Sequence, residues 1–127
     1  VSAAAVTTAL VWVAVVVIGG IGSVLRFVVD RTVARRASRP FPFGTLAVNL
    51  SGASLLGFLG GLALNKDAAM LAGTAFVGAY TTFSTWMLET QRLGEERRLY
   101  AALANIVVSV TLGEAAAFIG QQLAEQL

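Results

Sequence analysis

An uncharged run of small hydroxyls and aromatic rings, VGAYTTFSTW at residues 77–86, interrupts one of the most apolar parts of the chain. None of its side chains is a familiar catalytic group, so the chemistry open to it is ion recognition. An aromatic ring has a negative face and a positive edge. Rings set edge-on beside hydroxyl and amide donors can line an anion path that carries no fixed positive charge. A pore must bind its ion well enough to admit it and weakly enough to release it. A row of Arg or Lys would trap a small hard anion, whereas neutral donors need not.

Gly78, the β-branched pair Thr81 and Thr82, and the side chains' capacity to bond backbone groups all weaken a helix here. Two outcomes are open. In one, the helix breaks near residues 78–82, which is tolerated in lipid only where the irregular backbone is buried or faces a wet cavity. The freed carbonyls could then coordinate a cation such as Na⁺, as half-helix ends do in transporters. In the other, the helix is continuous and its hydroxyls bond back to the preceding turn.

Other polar side chains lie in apolar surroundings. Asn49 calls for amide partners, either across a helix interface or on a permeating anion. Asn105, Ser109 and Gly113 recur every four residues and form a small, polar face. Glu114 is rotated by about 180° from Asn105 at 100° per residue, which favours a packing contact or the far membrane interface for its carboxylate. Arg26, at the edge of an apolar run, either snorkels to the interface or draws anions into a vestibule.

The elements that would position these groups are membrane helices. The chain has 127 residues, of which 57% are hydrophobic and 13% charged; its mean hydropathy is +0.78. A soluble domain carries about 25% charged residues. Residues 1–25, 40–65 and 68–88 hold no charge, and residues 99–124 hold only Glu114. Each run reaches the roughly 20 residues needed to cross a bilayer core. The first lacks the basic flank of a secretory signal and is too long for one, so it reads as a retained helix. The expectation is a single all-α membrane domain over residues 1–127, with spans at about 5–27, 43–64, 68–91 (broken near 78–82) and 98–123.

Helices in lipid approach through small residues, and Gly52, Ala53, Gly57, Gly60 and Gly61 fall on one side of the second span. Four short spans enclose little, which points to an oligomer. The absence of Cys and His removes thiol, imidazole and the common zinc chemistries. With no nucleophile–base pair or metal cluster visible, an enzyme is the weakest class. A net charge of +2 is too small to indicate nucleic acid.

With these residues in place, the chain resembles the Fluc-type (CrcB) fluoride channels of bacteria over nearly its whole length. The segments that carry the resemblance are GGIGSVLRF, FPFGTLAVNLSGASLLG and GAYTTFSTWMLE. The resemblance implies four-helix subunits in an antiparallel dimer in the cytoplasmic (inner) membrane, giving passive export of fluoride. It implies a third helix broken at its centre and a structural Na⁺ held at the dimer interface by the backbone carbonyls of Gly78 and Thr81. It also implies an ion pathway at Asn49, Phe83, Trp86, Asn105, Ser109 and Arg26, with the hydroxyls of Thr82 and Ser84 beside it. Trp86 stands where the family usually has Phe, Asn105 where Tyr is common, and Glu114 has no evident counterpart.

Two other functions compete. A small four-helix multidrug exporter would need a carboxylate in the first span, and residues 1–25 have none. A specialised or non-conducting partner subunit of a heterodimeric channel fits the departures at Trp86 and Asn105. It also fits the charge distribution. Arg26, Arg31, Arg35, Arg36, Arg39, Arg92, Arg97 and Arg98 fall on one side of a four-span arrangement, and only Lys66 on the other. By the positive-inside rule the subunit would insert mainly with its Arg-rich connections in the cytoplasm and its termini outside.

Overall fold

The computed structural model describes residues 1–37 and 40–127; Ser38 and Arg39 lie outside the described residues. Helix α1 spans Ala3–Arg36, begun by Ser2, whose hydroxyl accepts from the Ala5 N–H at 3.1 Å. It continues through most of the Arg-rich stretch that the sequence reads as a connection. Its 34 residues make a rod of about 51 Å, well beyond a bilayer core of about 30 Å. Helix α2 is Phe43–Gly61 and α5 is Leu99–Glu125. Between them, an α-helical turn (Lys66–Ala69), a π-helical stretch (Met70–Val77) and a last turn (Gly78–Tyr80) run on as one helix, α3 (66–80). Helix α4 follows at Ser84–Glu95. Among the described residues there is no strand. The π-helical widening leaves no mark in an apolar sequence pattern and was not foreseen.

Three helices, α1, α2 and α5, are long and apolar enough to cross a membrane. Burial is arranged accordingly. The most completely buried side chains are Val48, Asn105 and Thr45, two of them polar, while Val13, Val16, Val17, Val24, Phe27 and Leu103 are all more than half exposed. Water would not tolerate that apolar surface, but hydrocarbon does. The chain is built as a multi-pass membrane protein.

Packing depends on close backbone approach. Helices α2 and α5 cross where Gly57 lies against the Ala117 backbone and Gly120 against the Ser54 carbonyl; a methyl group on either glycine would collide with main chain. Gly61 likewise abuts Ala124 and Gln121, whereas Gly60 faces open space and does not share the interface. On the other side, Gly22 of α1 sits against the Phe76 carbonyl of α3. The ends of α1 and α4 and the start of α2 meet around a cavity of about 470 Å³ bordered by Asp30, Glu89, Arg92, Glu96 and Arg98.

Candidate functional site

Helix α3 stops at Tyr80 because Thr81 adopts an extended conformation (φ −82°, ψ 164°). The Thr81 N–H and Oγ1 both donate to the Val77 carbonyl, each at 2.9 Å. The next N–H, of Thr82, leaves the helical ladder and donates to Oδ1 of Asn49 at 2.8 Å, while Asn49 Nδ2 donates to the Thr82 carbonyl at 2.8 Å. One side-chain amide on α2 thus replaces both backbone partners of Thr82. Gly52, one helical turn further along α2, touches the Thr81 methyl and permits this approach. Helix α4 restarts with the Thr85 N–H donating to Thr82 Oγ1 at 3.2 Å.

The break leaves carbonyls behind. Among the described residues, no backbone N–H donates to the carbonyls of Gly78, Ala79 or Tyr80. The Thr81 carbonyl accepts one long bond from Arg26 Nη1, at 3.5 Å. Tyr80 is buried, stacked on Phe76 at 6.0 Å, and its hydroxyl lies 2.8 Å from Ser51 Oγ. Ser51 Oγ donates to the Ala47 carbonyl at 2.7 Å, so Tyr80 is the donor to Ser51. This second α2–α3 tie was missed by sequence reasoning; the signal was Ser51 standing two positions after Asn49.

Beyond the break, Phe83 and Trp86 meet edge to face, with centroids 5.6 Å apart and ring planes at 84°. Phe83 and Ser84 are exposed on the outside of the chain. Trp86 turns inward, and its Nε1–H donates to the Asn105 carbonyl at 3.0 Å. The buried Asn105 amide donates to Thr90 Oγ1 at 2.9 Å and weakly to the Trp86 carbonyl at 3.5 Å. Trp86 and Asn105 therefore form one unit, with Thr90 as an unforeseen third member.

Two clefts collect the remaining groups. One, of about 270 Å³ between α2, α4 and α5, is lined by Asn49, Trp86, Ser109 and Glu114, with Leu46, Leu50, Val110 and Gly113. The sequence pattern had set Glu114 apart from the face of Asn105. Asn105 does not line this cleft, whereas Glu114 and Ser109 both do. The second cleft, of about 220 Å³, joins Arg26 and Asp30 to Thr45, Thr82 and Thr85. Thr45 and Glu89 lie side by side, yet Thr45 Oγ1 and Glu89 Oε1 are buried outside hydrogen-bond geometry with any described group.

The carbonyls left by the break are oxygen donors of the kind a hard cation takes. Among the described residues, no cluster of carboxylates, His or Cys could hold a metal, so a cation would rest on backbone oxygens. The Gly78 carbonyl is a free hard donor on an exposed residue. The Thr81 carbonyl keeps a second lone pair beside its long bond to Arg26. This donor set suits a hard monovalent ion.

An all-helical chain with three helices long and apolar enough to cross a membrane, meeting around buried polar side chains, has the build of a multi-pass membrane protein. The model of the CrcB-like protein, Camphor Resistance (CrcB) family matches residues 13–121, and the chain belongs to that family. It is 83% identical over 119 residues to a fluoride-specific ion channel FluC 2 of Mycolicibacterium paratuberculosis, covering 94% of this chain and 98% of the relative. It is 69% identical over 124 residues to the FluC 2 of Mycobacterium tuberculosis, covering 98% of each. A fluoride-specific ion channel FluC of Syntrophotalea carbinolica is 44% identical over 118 residues, covering 89% of this chain and 96% of its own length.

Proposed function

We propose that this chain is a subunit of a fluoride-selective channel giving passive export of fluoride across the cytoplasmic membrane. The observation that carries the proposal is the 83% identity, over almost the full length of both chains, to a protein named as a fluoride-specific ion channel. The geometry supports it. Helices α3 and α4 together form a third span interrupted at Thr81–Phe83, giving four spans in all. Two subunits pair antiparallel, so that the exposed break and Phe83 of one face the other.

Fluoride is small and strongly hydrated, so a pathway must replace water with hydrogen-bond donors. Asn49 has two N–H groups, and its clamp on Thr82 uses one; the second is free to donate into the cleft it shares with Ser109 and Trp86. Arg26 draws anions toward the cleft it shares with Thr82. The Trp86 N–H is occupied by Asn105, so the ion meets the ring edge of Trp86 and of Phe83 rather than a fixed donor. Ser84, exposed beside Phe83, adds a hydroxyl. Asn105 is a pathway residue through the ring it holds. A structural Na⁺ on the Gly78 and Thr81 carbonyls of both subunits would satisfy their lone pairs and offset nearby negative charge. Fluoride and chloride efflux from liposomes containing the purified chain tests the proposal.

A second reading, a partner subunit of a heterodimeric channel, is favoured by the eight Arg on one side against the single Lys66 on the other. Such a bias fixes one orientation by the positive-inside rule. An antiparallel mate would then be a homologous chain of opposite bias.

A further inference from the structure

Helix α1 carries exposed apolar side chains along one stripe. At 100° per residue, Val13, Val17, Val24, Phe27 and Val28 fall within about 60° of one direction, and each is more than half exposed. Arg31 and Arg35, both exposed, continue that stripe without rotation. Gly22, which packs on the Phe76 carbonyl of α3, lies about 180° around the helix from Arg31. The stripe therefore faces out of the bundle, and over one turn it changes from apolar to cationic. Asp30 and Glu89 border the inner cavity instead, and among the described residues no ion pair reaches Arg31 or Arg35.

The Arg31 guanidinium lies over the Phe27 ring, 5.4 Å from its centroid. Stacked in this way, it keeps its in-plane N–H donors free. Arg31 and Arg35 are about 6 Å apart along the axis, which matches the depth of one headgroup layer, about 5–7 Å. The start of α5 repeats the pattern: exposed Arg97 and Arg98 are followed at once by Leu99 and Tyr100, 67% and 92% exposed. Arg98 borders the same cavity as Ala34 and Ala37 of α1, so the two segments share one depth. An exposed Tyr beside cations marks a membrane interface.

We infer that the outward face of α1 at Arg31 and Arg35 is a binding site for an anionic phospholipid. The phosphate accepts from both guanidinium groups, and the acyl chains lie along Phe27 and Val24. A zwitterionic lipid offers the same phosphate, but the two arginines repel its ammonium group. Such a site requires only a chain that spans the membrane and is independent of fluoride conduction.

The test is native mass spectrometry of the assembled protein in detergent, with dioleoylphosphatidylglycerol and dioleoylphosphatidylcholine added in equal amounts. Two arginines at the membrane surface should favour the anionic lipid by about thirtyfold at low salt, and the preference should shrink as salt is raised. Arg31→Gln together with Arg35→Gln should abolish it. Arg36→Gln, at a position turned about 140° from Arg31, should retain it. Equal retention of the two lipids by the unaltered protein, or the same loss from Arg36→Gln as from the double variant, would overturn the inference. Retention of neither lipid, with the double variant falling apart into single subunits, would assign this face to the second subunit and overturn it too. Each of these failures would leave the fluoride-channel proposal standing.

Discussion

The indole nitrogen of Trp86 donates to the backbone carbonyl of Asn105 at 3.0 Å, and the Asn105 amide donates in turn to Thr90 at 2.9 Å on the helix that carries Trp86. Trp86 and Asn105 are thus bonded to each other, tying α4 to α5. A Phe has no N–H to place there. Asn105→Ala removes the two side-chain bonds of a buried amide, to the half-buried Thr90 hydroxyl and the Trp86 carbonyl, and should cost about 1–3 kcal/mol. Trp86→Phe keeps the ring and loses one bond, about 0.5–1.5 kcal/mol. Thermal unfolding in detergent should rank them in that order, and Trp86→Phe should still pass fluoride. A larger loss for Trp86→Phe than for Asn105→Ala would contradict the assignment.

Asn49 has a comparable role on the other side of the break. Asn49→Ala removes both bonds to Thr82 and should lower stability by about 1–3 kcal/mol, with fluoride flux falling by at least about tenfold. Asn49→Asp keeps an acceptor for the Thr82 N–H but removes the donor and adds negative charge. It should hold the break yet suppress flux as strongly as Asn49→Ala. Full flux from a folded Asn49→Asp protein would separate the clamp from conduction.

Much of this was legible beforehand, and the reasons differ by residue. Charge-free runs mark α1, α2 and α5 because hydrocarbon admits so few charges. The α2 glycines at 57 and 61 could be read as a packing stripe because lipid-embedded helices need small residues. Gly60 fell outside the interface because consecutive positions on a helix point 100° apart. For Asn49, the amide's need for a partner was readable, but which backbone groups it meets depends on helix placement that spacing does not fix. Asn105 and Trp86 were each visible as odd residues. Their pairing spans two helices and has no local pattern, and neither does the Tyr80–Ser51 tie.

Gly78 offers a test of the subunit interface. Within one chain, a methyl group built there meets nothing within 4 Å, and an Ala substitution on a helix is otherwise favourable. If the break faces a second subunit around a shared cation, Gly78→Ala should leave helicity intact and weaken the dimer. Cross-linking and size-exclusion chromatography would read this, as would replacement of Na⁺ by a bulky organic cation, which should shift the unaltered protein the same way. A Gly78→Ala dimer as stable as the unaltered one, in either salt, would place the interface elsewhere.

Orientation is accessible because the chain contains no Cys. A single cysteine replacing Asn65, at the turn before α3, should be labelled by an impermeant reagent from outside the cell only, as expected from the Arg-rich opposite end. Equal labelling from both sides would show dual insertion and remove the need for a partner chain of opposite bias.

The central claim is conduction, and the most direct measurement is anion efflux from liposomes reconstituted with this purified chain alone. Loaded with fluoride, they should empty rapidly once counter-ion flow is enabled; loaded with chloride, they should hold their contents. Retention of fluoride by vesicles carrying folded, dimeric protein, or loss of chloride at the same rate, would contradict the account.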